Sequence, residues 1–528
     1  MKRNFSSIFT ISSGKHSQEV ENNRDPYEPA DFETAIAAAK FGKFNLLMLV
    51  VALAASFSST FTTTSMSYVL PAAQCDLELS LVDKGMLNAC TYLGMISSSF
   101  FWGFLADTLG RKKLQVWGYW LDVFCNIGCA LSQSFWMLLV FKYFSGFLVT
   151  GPYNILMSYL SEFHCTRYRS RVLVLTGMFL STANVVLPML AWWIIPMDIT
   201  YSFFSGALPI CALPSLLAAI GHTTLPESPK FLMSTGRNQE ALQVFRKVYQ
   251  MNTGNTKEAY PIAVLVEETT NVDVKLPNGA LPEKKTGLQL FCAELRHLKE
   301  LFFKPYRMNF ILVNVIQFAG LMGVNTLRLW LPQLFTTIDE YNQAHNYTAG
   351  ASLCDMLAYK PLKSNLSLAA AFEECTVTQV DNEVYINSII VAGWSVVGFF
   401  FVGTLINAMG KKNLQIVAFT LSGICGIANY WSQNSLTMLA FSSAFITLVG
   451  ICNQVLIGVI VELFPTSLRT IVVSLSLMSG RLGNIIGNML FPILLDVGCL
   501  PPFIFVGGVT FACAILSLFL PSKVADFK

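Results

Sequence analysis

Twelve predominantly apolar stretches punctuate the chain, at 44–70, 85–106, 114–133, 135–160, 172–195, 203–224, 307–335, 385–408, 414–431, 436–462, 472–496 and 502–520. Each is close to the length of about 20 residues that an α-helix needs to cross hydrocarbon, where every backbone amide must find its partner within the segment. The pattern predicts an all-α membrane protein with six spans on each side of a polar segment, 225–306. Two runs inside that segment keep one apolar face. EALQVFRKVYQ aligns Leu242, Phe245 and Tyr249, and LQLFCAELRHLKELF aligns Leu288, Phe291, Leu295, Leu298 and Phe302. Both read as amphipathic helices on the cytosolic membrane face, coupling the two halves. The predicted organisation is a segment 1–43 with a short helix, a six-helix half 44–224, the linker 225–306, a second half 307–520 with a long connection at 336–384, and a tail 521–528.

Lys and Arg set the orientation. Arg111, Lys112, Lys113, Arg167, Arg169, Arg171, Lys411, Lys412, Arg469 and the linker share parity with the termini, whereas the opposite connections carry mostly acids, among them Asp76, Glu78, Asp339, Glu373 and Asp496. Both termini are therefore expected in the cytosol, in agreement with a polar first forty residues that do not read as a secretory signal. The glycosylation sequons at Asn346 and Asn365 fall in the connection that the charges place outside. Asn4 matches too, but on the cytosolic side.

Composition narrows the function. Hydrophobic residues make up 53% and charged residues 13%, against about 25% charged in soluble domains; mean hydropathy is +0.53. A net charge of +3 without a basic tract excludes nucleic acid as a partner. There is no GxxxxGK[ST] loop and no metal-ligand or nucleophile constellation, so neither an enzyme, a resident metal nor a cofactor is expected. Of thirteen Cys, most sit in apolar runs, where Cys acts as a small hydrophobe. Cys354 and Cys375 share a polar outer connection and are candidates for a disulfide, with Cys75 or Cys499 as competitors.

The chain is also written twice. GFLADTLGRKK at 103–113 recurs as GTLINAMGKKN at 403–413, and Glu162 with Arg169 recurs as Glu462 with Arg469, always 300 positions apart. An even number of spans per unit makes the halves parallel repeats, as in transporters whose halves rock around a central site. Gly103, Gly110 and Gly410 allow close approach and sharp turns. Asp107 can pair with a cation or cap a helix from the partner half, while Arg111 and Lys411 meet anionic headgroups. Glu162 with Arg169 and Glu462 with Arg469 are candidate ion pairs of a cytosolic gate. Asn407 replaces Asp107 in the second copy, so the ionic latch is expected mainly in the first.

These motifs resemble the loop signature of the major facilitator superfamily. DFETAIAAAKFGKFN (31–45), SYVLPAAQCDLELSLVDKGMLNACTYLGM (67–95), SYLSEF (158–163), AWWIIP (191–196), LPESPKF (225–231) and VELFPTSLRT (461–470) are similar to the synaptic vesicle glycoprotein 2 family and its organic-ion and sugar transporter relatives. The resemblance covers nearly the whole chain and implies the twelve-helix fold in two pseudo-symmetric halves. It departs from vertebrate members in two ways: 336–384 is too short for their β-helical lumenal domain, and the amino-terminal region is reduced.

In that fold spans 1, 4, 7 and 10 line the cavity and spans 2, 5, 8 and 11 flank it. The resemblance associates Trp192 with a central pocket, with Trp193 beside it. Tyr153, Asn154, Gln317, Asn325, Asn453, Gln454 and Asn484 supply uncharged hydrogen-bonding groups, and Asn453 stands where some relatives have an aromatic. Arg328 and Arg481 are intramembrane cations, each needing a partner or a cavity. Lys142 and Asp122 read as structural, and the first span holds no acid, which weakens proton symport. The expected function is a secondary transporter or facilitator moving a small organic solute by alternating access, in the plasma membrane or a vesicle membrane and surrounded by lipid. A regulatory or trafficking protein with trafficking partners, and an organic cation or anion transporter, stay open as alternatives.

Overall fold

The computed structural model describes residues 29–72, 77, 79–194, 204–266, 301–303, 306–345, 353–358, 382–464 and 466–521. A leading helix α1 (Phe32–Ala38) precedes the first half: α2 (Lys43–Thr64), its continuation α3 (Met66–Ala72), α4 (Leu81–Leu109), α5 (Arg111–Ala130), α6 (Phe135–Glu162), α7 (Thr166–Ile194) and α8 (Phe204–Thr224). The linker gives α9 (Pro229–Ser234) and α10 (Asn238–Thr253). The second half holds α11 (Arg307–Ala344), the short α12 (Leu353–Ala358), α13 (Asn382–Met409), α14 (Lys411–Ala428), α15 (Ser435–Leu463), α16 (Thr466–Val497) and α17 (Leu500–Leu518). With α2 and α3 counted together, every predicted span coincides with a helix over its described residues. Eight described helices are long and apolar enough to cross a membrane by length and composition. Among the others, α4, α5 and α16 carry buried polar groups such as Asn88, Asp122 and Asn488.

The repeat persists in three dimensions. α5 and α14 begin after Gly110 and Gly410, whose φ values of 95° and 77° are left-handed and suit glycine. α6 and α15 are N-capped by Ser134 and Asn434, which accept from Met137 N at 3.4 Å and Thr437 N at 2.8 Å. Gln115 and Gln415, one turn into α5 and α14, are both fully buried. Each of these pairs is offset by the same 300 positions as the sequence motifs.

Within the first half α4 packs on α6 and α5 on α8; within the second, α13 packs on α15 and α14 on α17. The halves meet where α4 crosses α16, where α7 crosses α13 and where α3 lies against α11. Large apolar side chains such as Trp117, Phe124, Trp394 and Phe400 are left exposed on the outer surface, as hydrocarbon contact requires.

The end of the bundle that carries α1, Gly110 and Gly410 is here the terminal face, and the other end the distal face. On the terminal face α10 buries Phe245 and Tyr249 and half-buries Leu242, the stripe predicted for it. It packs against α1 and α2 of the first half, and Tyr260 OH ties α1 by donating to Ala35 O at 2.7 Å. The expected coupling of both halves therefore does not describe α10. Most of the second amphipathic run lies outside the described residues.

On the distal face Cys354 in α12 is joined to Cys499 at the start of α17, with their Cα atoms 5.3 Å apart. This corrects the expected Cys354 to Cys375 pairing. Leu353 and Met356 are buried in the second-half core, and Leu353 N donates to Ser432 O at 3.0 Å, so α12 is seated against the connection between α14 and α15 while the disulfide ties it to the start of α17. Cys375, Asn346 and Asn365 lie outside the described residues.

Candidate functional site

The run SFSSTFTTTSMS at 56–67 shapes the first wall of a cavity between the halves. Its hydroxyls turn back on their own helix: Ser56 Oγ donates to Ala52 O at 2.8 Å, Thr60 Oγ1 to Ser56 O at 3.1 Å and Thr63 Oγ1 to Ser59 O at 3.0 Å. Such back-bonding bends helices, and α2 gives way to α3 at Ser65. Around the break, Thr64 and Tyr68 face Ser181 and Asn184 of α7, Arg328 of α11, and Ser388 and Ser395 of α13. Leu331, Pro332, Val391, Phe399 and Ile446 form the apolar wall. The cavity volume is about 40 Å³, room for roughly three waters. An organic solute would have to part the helices to enter.

Side-chain hydrogen bonds join the halves around this cavity. On the distal side Lys84 Nζ donates to Gln333 Oε1 at 2.7 Å, and Trp192 Nε1 donates to Asn382 Oδ1, also at 2.7 Å. Deeper in the bundle Arg481 Nη1 donates to Ser99 Oγ at 2.9 Å. Gly85 adds a backbone contact, since a Cβ there would lie 2.7 Å from Asn488 O.

The terminal-face ion pairs instead stay within each half. Arg111 lies 3.4 Å from Glu162, and Lys411 lies 2.5 Å from Glu462. The two pairs occupy equivalent positions of the repeat. This corrects the expected Glu162 to Arg169 pair: Glu162 also accepts from Ser158 and Ser228, while Arg169 lies 2.6 Å from Glu33 of α1 and donates to Ser161 O. Burial pushes the Glu33 carboxyl up, and the bonds from Arg169 and Thr166 outweigh it, leaving Glu33 below the usual carboxylate range. The side chains of Asp107, Asn407 and Arg469 are outside the described set.

Glu227, which the sequence reading did not single out, caps α5: its Oε1 accepts from Arg111 N and Lys112 N, each at 3.0 Å. A carboxylate at a helix N-terminus satisfies orphan amides and the helix dipole together. Glu227→Ala is expected to cost about 1 kcal/mol and to lower the thermal midpoint of the purified protein, whereas an unchanged midpoint would remove the cap from the account.

The sequence profile of the "Sugar (and other) transporter" family matches residues 36–352, and that of the "Major Facilitator Superfamily" matches 378–526. The first match alone covers more than half of the chain. This chain belongs to the sugar (and other) transporter family. Among its relatives, synaptic vesicle glycoprotein 2B of Rattus norvegicus is 26% identical over 320 residues, 57% of this chain and 47% of that protein. Synaptic vesicle glycoprotein 2A of Rattus norvegicus is 27% identical over 349 residues, 63% of this chain and 46% of that protein. The chain spans about half the length of these relatives. A crystal structure of a D-xylose-proton symporter superposes with a TM-score of 0.64 at 13% identity, covering 92% of this chain and 100% of that one. The partially occluded inward-open xylose transporter XylE from E. coli gives 0.63 at 14% identity, covering 91% and 100%. These two likenesses show the fold.

Within this transporter fold, Arg328 is the one predicted cavity residue that lines this cavity. Trp192 instead clasps Asn382 at the distal end, and Trp193 points outward, exposed. Asn325 Nδ2 donates to Asn484 Oδ1 at 3.1 Å, tying α11 to α16. Gln317 and Asn453 are buried, and among the described residues Gln317 Oε1 and both polar atoms of the Asn453 amide have no hydrogen-bond partner. Tyr153 is half-buried against the first-half core, and Asn154 and Gln454 are exposed.

Asp122 is fully buried as a structural group of the first half. It accepts from Ser215 at 2.6 Å, Ser145 at 2.7 Å and Ser58 at 3.5 Å, joining α2, α5, α6 and α8. Lys142, one turn from Ser145, donates to Ser65 Oγ at 3.1 Å and so braces the break that opens the cavity. Ser58 and Ser65 belong to the hydroxyl-dense run 56–67, which is the sequence signal for these two partners.

Proposed function

We propose that this chain is a secondary transporter or facilitator that moves a small organic solute by alternating access, its halves 44–224 and 307–520 rocking about the central cavity. The observation that carries the reading is a small, partly open cavity walled by polar and apolar side chains from helices of both halves. Two clasps between the halves, Lys84 with Gln333 and Trp192 with Asn382, lie at the distal face and a third, Arg481 with Ser99, lies at mid-bundle, while the described terminal-face ion pairs remain within each half. That arrangement suits a state closed at the distal side, and the solved neighbours include inward-open and partially occluded forms. The positive-inside bias supports cytosolic termini, in a plasma or vesicle membrane. With that orientation Asn346 and Asn365 face the glycosylating compartment, so removing either sequon should raise gel mobility and removing Asn4 should not; a shift from Asn4 alone would reverse the topology.

The test is solute counterflow into proteoliposomes holding the full chain, with labelled sugars, organic anions and organic cations. Accumulation of at least one solute above protein-free vesicles is expected. A folded, reconstituted protein that moves none of the three classes contradicts the reading.

A further inference from the structure

Among the described residues Arg328 is a cation without a counter-ion. No carboxylate lines the cavity, and among the described residues Arg328 has neither an ion pair nor a side-chain hydrogen bond. It is half-buried on α11, between helices of both halves. A guanidinium at membrane depth is costly unless a partner or a water-filled cavity compensates it. Structural intramembrane cations are normally compensated, as Lys142 and Arg481 are here by Ser65 and Ser99. The planar fork of a guanidinium matches a carboxylate through two parallel hydrogen bonds.

The other polar walls show a complementary bias. Ser181 Oγ donates to Gly177 O at 3.2 Å, Ser388 Oγ to Val384 O at 2.8 Å and Ser395 Oγ to Val391 O at 3.3 Å. Asn184 Nδ2 donates to Leu180 O at 2.9 Å. Each of the three serine hydroxyls has spent its single proton on its own helix and turns oxygen lone pairs toward the cavity, beside the Tyr68 hydroxyl and the second N–H of Asn184. On the side of Ser181, Asn184 and Ser388 the cavity thus offers acceptors next to one positive charge, which a ligand with one negative charge and hydroxyl donors of its own complements.

We propose that this cavity binds a small hydroxylated organic carboxylate, with the carboxylate on Arg328 and the ligand hydroxyls on Ser181, Asn184 and Ser388. The proposal rests on the transporter reading and names its substrate class. A neutral polyol leaves the guanidinium uncompensated, and an organic cation meets it with repulsion.

Three probes of matched carbon count and different charge test it: D-glycerate, glycerol and 2-amino-1,3-propanediol. With the purified full chain, D-glycerate is expected to raise the thermal midpoint in a saturable way, while equal concentrations of the other two do not. Arg328→Gln should weaken the D-glycerate effect at least tenfold, about 1.4 kcal/mol, and Arg328→Lys should retain part of it. Equal shifts from all three probes, no shift from D-glycerate, or a D-glycerate shift that survives Arg328→Gln would each overturn the proposal. If the Gln variant does not fold, the charge series on the unaltered chain decides the matter. Labelled counterflow separates the two levels of the account. Stabilisation by D-glycerate without its counterflow contradicts the transporter reading and leaves the site, whereas counterflow indifferent to charge contradicts the site and leaves the reading.

Discussion

Gly146→Leu should leave no folded protein to purify, and Gly146→Ala should already lower the thermal midpoint. α4 and α6 cross with their backbones in contact: a Cβ on Gly146 would lie 2.1 Å from Thr91 O, and a Cβ on Gly94 would lie 2.1 Å from Tyr143 O and 2.8 Å from Phe147 N. Both obstacles are backbone atoms that cannot turn aside. Relief requires the helices to separate, which breaks the packing of Tyr92 and Met95 with Val149 at the seam between the halves. Over-packing of a well-filled core typically costs about 1–3 kcal/mol, and a leucine at a backbone crossing lies beyond that range. Gly177 and Gly393, where an added Cβ meets nothing within 4 Å, are the internal controls. Alanine at either should be neutral or stabilise by up to about 1 kcal/mol through helix propensity. A Gly146→Ala protein with an unchanged midpoint in a size-exclusion thermal assay would mean that the helices do not cross this closely.

The second large effect is expected at the disulfide. Cys354 and Cys499 are separated by 145 positions, so their bond closes a long loop, and such bonds typically contribute about 2–4 kcal/mol. A membrane restricts the unfolded chain as well, which places the expected loss toward the lower end. Cys354→Ser and Cys499→Ser should lower the midpoint equally, and the double variant no further, because either change breaks the same bond. Cys375→Ser should leave both the midpoint and the bond intact. Peptide mapping under non-reducing conditions decides between the pairings: a fragment joining 354 to 499 is predicted, and one joining 354 to 375 would contradict the seating of α12.

The helices were legible because hydrocarbon imposes a length and an apolar composition that a single sequence displays. The repeat was legible for a related reason: Gly110 and Gly410 need a left-handed backbone, and few residues other than glycine tolerate it. The partners of the charged residues were not. Glu162 and Arg169 lie close in sequence, but α1 folds back to offer Glu33 to Arg169, and α5 delivers Arg111 to Glu162; both depend on how distant elements dock at the terminal face. The cavity was legible only at Arg328. Periodicity assigns a residue to a span but leaves the rotation of that helix undetermined. Trp192, near the end of α7, therefore became a clasp, and Ser181 and Asn184, on the same helix, became the wall. Spans five and eight, expected to flank the cavity, supply more of its polar lining than spans four and ten.

The central claim is that the halves must part at the distal face for solute to pass. Cys substituted at Lys84 and at Gln333, two positions joined by a hydrogen bond across the halves, can be bridged by a short bis-methanethiosulfonate reagent. Counterflow of whichever solute the panel identifies is then measured before and after bridging, with each single variant as control. The account predicts that bridging the double variant stops counterflow while both single variants keep it. Undiminished counterflow through the bridged protein would contradict alternating access between these two halves.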